Sequence, residues 1–140
     1  MAYVSQESIC KTLLTDANKL IKKGDYIGAE QLLREAVQRV ENATGPRHPR
    51  IAAVLLRLGD FYKAQNKFDE AEEQFRRAMS IYEDTFGLDN LDVAICLQYL
   101  ADSLDGQGRS PEAKAIRARG QGILAQRLSN FGLQSVSRGN

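Results

Sequence analysis

The sequence predicts an all-α fold of about three stacked helical hairpins, and three observations lead there. The composition is helical: Pro numbers only 3, β-branched runs are scarce, and hydrophobic residues at 43% with charged residues at 26% are ordinary for a globular domain. The chain repeats itself with a period of 42 residues. Within each copy, apolar residues recur at three- and four-residue spacing on both sides of a residue type that ends helices.

The repeat is visible in matched triplets. Leu13, Leu55 and Leu97 share one offset, as do Ala17, Gly59 and Ala101, then Leu20, Tyr62 and Leu104. In the second half of each copy, Ala29, Ala71 and Ala113 match, and so do Val40, Tyr82 and Leu124.

The first copy, about residues 10–45, is predicted to form a helix to Gly24, where the chain breaks, and a second helix to Gly45. The middle copy, about residues 52–87, is clearest. Val54, Leu55, Leu58, Phe61 and Tyr62 line one helix, Asn66 interrupts, and Phe68, Ala71, Phe75, Ala78, Met79 and Tyr82 line the next. Small residues stand where two helices must cross closely: Gly59 on one, Ala71 and Ala78 on the other. Gly45 and Gly87 are expected C-caps, with Asp89 or Asn90 an N-cap for the helix that follows. The third copy, about residues 94–128, breaks at Gly108, and Ser110-Pro111-Glu112 reads as an N-cap, a first-turn proline and an early acid. Residues 1–128 thus form one three-repeat domain, and the Ser- and Gly-rich 129–140 is expected to be a flexible tail in which Phe131 and Leu133 could anchor.

These residues resemble the tetratricopeptide repeat, in the longer 42-residue form of kinesin light chains. The resemblance covers roughly residues 10 to 128, and the middle copy carries it best with Leu55, Leu58, Gly59, Tyr62, Ala71, Phe75 and Ala78. Ala17, Ala29, Ala101 and Ala113 complete the repeat signature. The first copy departs at Asp16, and the third at Arg117 and Gly120, as a terminal cap should. The resemblance implies a right-handed α-solenoid with a capping last helix. It also implies a concave groove, lined by first helices, that holds a partner's peptide. The groove positions are Lys11, Leu14 and Asn18, then Arg57, Asp60 and Lys63, then Gln98, Tyr99 and Asp102. Asn18, Asp60 and Asp102 form a polar ladder, which plain solvation of an exposed face would also produce. Leu14, Ile95 and Tyr99 stand where a carboxylate clamp needs basic residues, so a C-terminal carboxylate ligand is not expected. Kinesin light chains take acidic peptides with an aromatic anchor. Here Asp60 and Asp102 argue for a ligand of mixed charge held by one or two apolar anchors.

Little else in the sequence suggests chemistry. A formal net charge of +1 argues against binding polyanions by bulk charge. His48, the only histidine, lies in a connecting loop as a loop or cap residue. No phosphate loop, metal-spaced cluster or nucleophile elbow is present, so no enzyme, cofactor or metal is expected. Cys10 and Cys96 match no metal or redox spacing and read as buried thiols of a reduced compartment. No apolar run is long enough to span a bilayer, and the N-terminus lacks a secretory pattern, so a cytoplasmic protein is expected.

Arg109, Lys114, Arg117, Arg119 and Arg127 face one acid, Glu112, on the last helix. The patch reads first as a solvated face and second as a site for an acidic partner, with nucleic acid unlikely for want of interleaved aromatics. The leading expectation is a peptide-binding adaptor. The alternatives are a self-associating scaffold and a chaperone holding a client. Self-association would use uncovered ends, with Tyr3, Val4, Ile9 and Leu13 at one and Ile123, Leu124, Leu128 and Phe131 at the other.

Overall fold

The computed structural model describes the backbone of residues 5–138 and the side chains of residues 5–132, so Tyr3, Val4 and the side chain of Leu133 lie outside the described residues. Six helices follow in order: α1 (Gln6–Lys23), α2 (Tyr26–Thr44), α3 (Pro49–Ala64), α4 (Phe68–Phe86), α5 (Leu91–Gly106) and α6 (Ser110–Arg138). They pair into three antiparallel hairpins that stack in chain order, each helix packing on the next.

The turn inside each hairpin falls where the repeat places its breaker. Gly24, Asn66 and Gly108 all have positive φ, 82°, 61° and 75°. Each is followed by the residue whose carbonyl accepts the first bond of the next helix: Asp25, Lys67 and Arg109. The connections between hairpins turn at Gly45 and Gly87, at φ 90° with ψ 170° and φ 91° with ψ 166°. That region is closed to residues with a side chain, which accounts for glycine at both places. Three residues later, His48 and Asn90 cap α3 and α5 alike, each side chain accepting from the backbone N–H two residues on.

Two expectations need correction. Ser110 is not an N-cap: α6 already includes it, and the capping carbonyl belongs to Arg109. Nor does the last helix stop at Leu128, because α6 continues to Arg138 and runs past the end of the repeat pattern.

The core runs through all three hairpins. Tyr62, Phe75, Ile51, Leu55, Ile81, Leu97, Leu100 and Leu104 are its largest fully buried side chains. The signature residues Ala17, Ala29, Gly59, Tyr62, Ala71, Ala78, Ala101 and Ala113 are all buried. Gly59 shows why small residues are needed: a Cβ there would stand 2.5 Å from the Phe75 ring. Cys10 and Cys96 are free and buried, and burial pushes the Cys96 thiol up to about 12. No helix among the described residues is long and apolar enough to cross a membrane.

A candidate docking cleft between the first and second hairpins

Two joints hold the stack together, and they differ on the face formed by the first helix of each hairpin. At the joint between the second and third hairpins, α3 and α5 touch. Tyr99 stacks on Phe75 with ring centroids 5.2 Å apart, and the Lys63 ammonium lies 4.9 Å from the Tyr99 centroid. Lys63 also bridges Asp60 at 3.6 Å and Asp102 at 3.7 Å. Asp102 further accepts from Arg117 at 3.2 Å and from Gln98 at 3.1 Å. The charged groups Lys63, Asp60 and Asp102 are all paired there, and the stacked rings fill the seam.

At the joint between the first and second hairpins, the backbones of α1 and α3 make no close approach among the described residues. The repeat explains the gap. One period back from Phe75, Tyr99 and Lys63 stand Leu33, Arg57 and Ile21. A branched chain replaces a ring, an arginine replaces its stacking partner, and isoleucine replaces the bridging lysine, so the ring stack and lysine bridge of the other joint are missing here. Two cavities lie along this joint, one of about 190 Å³ and one of about 300 Å³, and together they make a cleft. The first is lined by the start of α1 (Gln6, Glu7, Cys10, Lys11), by Val40, Ala43 and Thr44 of α2, and by Arg50, Ala53 and Val54 of α3. The second is lined by Asn18, Ile21, Tyr26, Leu33, Arg57, Asp60, Phe61, Ala64 and Gln65. Glu7 pairs with Lys11 at 3.4 Å and with Arg50 at 3.6 Å on the cleft rim. Burial raises the Cys10 thiol above its ordinary value, while Arg57 and Arg50 pull the other way, a sign of positive potential at this spot.

The nine groove positions therefore separate. Lys11, Asn18, Arg57 and Asp60 line the cleft. Leu14 packs against the core instead. Lys63 is bound into the closed seam. Gln98, Tyr99 and Asp102 border a separate cavity of about 330 Å³ between α5 and α6, together with Ile95, Gly120 and Leu124. The apolar floor of the cleft (Ile21, Tyr26, Leu33, Phe61, Val54) was not among the predicted site residues, although the offset of 42 from the seam triad marks two of the five.

Four of the five cations counted on α6 are partly exposed but have partners within the protein, while Lys114 is exposed without one among the described residues. Arg109 reaches Glu72 and Glu112, both at 2.7 Å. Arg117 reaches Asp105 at 2.8 Å as well as Asp102, Arg119 reaches Glu83 at 3.2 Å, and Arg127 donates to the Asp89 carbonyl at 3.2 Å. The balancing acids sit on α4 and α5, where a count along α6 alone misses them. On the outer face one pair recurs with the repeat: Glu41 with Arg77 at 3.4 Å and Glu83 with Arg119 at 3.2 Å. Inside the first joint, the Tyr62 hydroxyl donates to Glu30 and accepts from Arg34, both at 2.6 Å. Burial and that bond to Glu30 push Tyr62 up to about 12.

Comparison with known proteins fits this architecture. A family model of the tetratricopeptide repeat matches over residues 17–84 and again over 50–119. No curated protein matches the chain in sequence. Among solved structures, BtubC (BKLC) of P. vanneervenii has a TM-score of 0.78 at 21% identity, covering 86% of this chain and 48% of that one. A Podosopora anserina structure described as kinesin light chain with nearly identical TPR-like repeats has a TM-score of 0.76 at 21% identity, covering 89% and 60%. The globular C-terminal domain of P. aeruginosa LpoP has a TM-score of 0.64 at 26% identity, covering 85% of this chain and 99% of that domain. The chain spans 48% and 60% of the first two proteins, and at 21% identity those likenesses speak for the fold alone.

Proposed function

Because the chain belongs to the tetratricopeptide repeat family, whose repeats generally mediate protein–protein interaction, we propose that it is a non-enzymatic adaptor holding a peptide segment of a partner protein in the cleft between α1 and α3. The fold is the all-α, right-handed solenoid expected of such repeats. The observation that carries the reading is the open joint itself. It combines an apolar floor with charged and amide groups on its rim, the composition of a site that binds by shape and orients by hydrogen bonds. The closed α3–α5 seam offers no such space. Two buried thiols suit a reduced compartment, and we assign the adaptor to the cytoplasm.

An affinity capture from native lysate, read by mass spectrometry, tests this. Wild type runs beside Asn18→Ala/Arg57→Ala/Asp60→Ala, with Leu124→Ser as a control far from the cleft and circular dichroism as the folding check. A partner kept by wild type and the control but lost by the triple variant supports the reading. A partner lost only by Leu124→Ser moves the site to the other end of the stack.

One observation favours a second reading, self-association: Leu128 and Phe131 are 71% and 73% exposed on α6. Sedimentation over a wide concentration range separates the two, because an adaptor keeps monomer mass throughout. A client-holding chaperone would instead copurify with unfolded chains of varied sequence.

A further inference from the structure

Arg57 stands apart from the other arginines. Among the described residues, Arg34, Arg39, Arg47, Arg50, Arg76, Arg77, Arg109, Arg117, Arg119 and Arg127 each have an ion pair or a hydrogen bond within the protein. Arg57 alone has neither. It could have formed an i,i+3 pair with Asp60, but Asp60 is taken by Lys63 at 3.6 Å. An exposed guanidinium at the wall of a cleft, with five N–H donors in a fixed fork, suits a carboxylate.

Its position along the cleft is equally informative. Along α3 and its C-cap, the first cavity is lined by Arg50, Ala53 and Val54, and the second by residues from Arg57 to Gln65. Arg57 therefore lies at the boundary between two apolar-floored cavities. The middles of these two stretches are about nine residues apart, roughly 14 Å at the helical rise. An extended chain advances about 3.3 Å per residue and points alternate side chains to one face, so residues i and i+4 lie about 13 Å apart with i+2 between them on the same side. The cleft has room on both sides of Arg57, which fits a side-chain carboxylate within a continuous segment rather than a chain terminus.

We propose that the cleft takes an extended peptide bearing an aliphatic side chain, an acidic side chain two residues on, and a second aliphatic side chain two residues further, with the acid on Arg57. This rests on the adaptor reading and gives it a ligand. Lys11 and Arg50, each sharing Glu7, add positive charge at one end. Across the lining, three cations face the two acids Glu7 and Asp60. The cavity volumes suit aliphatic chains at both ends.

The test is selection of random twelve-residue peptides against the full chain, from one library flanked on both sides and one with a free C-terminus. Enrichment from the flanked library of sequences with an acid two residues from each of two aliphatics is the expected result. Arg57→Glu, which removes no internal contact, should weaken a selected peptide at least tenfold and reselect a basic residue at the centre. The same enriched sequences from wild type and Arg57→Glu, or enrichment only from the free C-terminal library, would overturn the proposal and leave the adaptor reading intact. No enrichment from either library would overturn both.

Discussion

The two joints of this stack use the same backbone frame and are filled differently. At the second joint, Phe75, Tyr99 and Lys63 close α3 against α5. At the first, the same three places hold Leu33, Arg57 and Ile21, and α1 stands away from α3. The outer face meanwhile repeats faithfully, with Glu41–Arg77 at one joint and Glu83–Arg119 at the other. In a repeat protein each interface is a separate energetic unit. One joint can therefore be left open for a ligand while its neighbour and the shared outer stitching keep the stack together.

The largest effect should come from the closed joint. Phe75 is fully buried, and Phe75→Ala should cost about 3–5 kcal/mol through its cavity and the lost stack on Tyr99. Leu33→Ala, its counterpart beside the cleft, should cost less, near the lower end of about 2–5 kcal/mol. Chemical denaturation of both variants decides it, and equal losses would erase the difference between the joints.

Acid sensitivity should be common to both joints. The Glu30 carboxyl is held low chiefly by the Tyr62 hydroxyl, which outweighs burial, with Arg34 adding to it. At Glu72 burial works to raise the pKa, but hydrogen bonds from Gln107 and Arg76 and the charge of Arg109 hold it low. A carboxylate whose folded pKa lies below its ordinary 4.5 contributes stability that is complete above that pH and is lost as pH falls through the folded value. Melting temperature should therefore drop below about pH 4.5. Glu30→Gln/Glu72→Gln should flatten that limb, at a cost of about 1–2 kcal/mol at neutral pH. A variant as acid-sensitive as wild type would mean that other carboxylates dominate.

A more pointed change is Arg57→Tyr, which gives the first joint the residue of the second. It should leave stability within about 1 kcal/mol of wild type, on the favourable side if the ring reaches Leu33, while a peptide selected on wild type loses at least tenfold in affinity. Unchanged binding would place the ligand elsewhere. The smallest effect belongs to the outer stitching: Glu41→Ala and Glu83→Ala should each cost under about 1 kcal/mol, and similar amounts, because both pairs are partly exposed. Unequal costs would mean the two joints differ on both faces.

Much of this was readable from the sequence. The period of 42 fixed the hairpins and the breakers Gly24, Asn66 and Gly108, and local backbone geometry pointed to the caps Gly45 and Gly87 and to Asp89 or Asn90, of which the structure uses Asn90. Four of the nine groove positions, Lys11, Asn18, Arg57 and Asp60, meet in the cleft. Lys63 does not, because its long chain lies back over Tyr99, a contact set by the neighbouring hairpin 36 residues away. The partners of Arg109, Arg117 and Arg119 were not readable for the same reason: they come from other helices. The offset that aligned the apolar residues also aligns Glu41 with Glu83 and Arg77 with Arg119, so charged pairs between repeats could have been found the same way. The length of α6 had no such signal, since residues 129–138 follow no repeat.

A peptide held between α1 and α3 must touch both helices. Assigned amide resonances of the full chain, followed during titration with a peptide selected against it, test that directly. Shifts concentrated on residues 6–21 of α1 and 50–64 of α3, with Arg57 among the strongest, are the predicted result. Shifts centred on Ile95, Tyr99, Gly120 and Leu124, with α1 unmoved, would contradict it and assign the binding site to the far end of the stack.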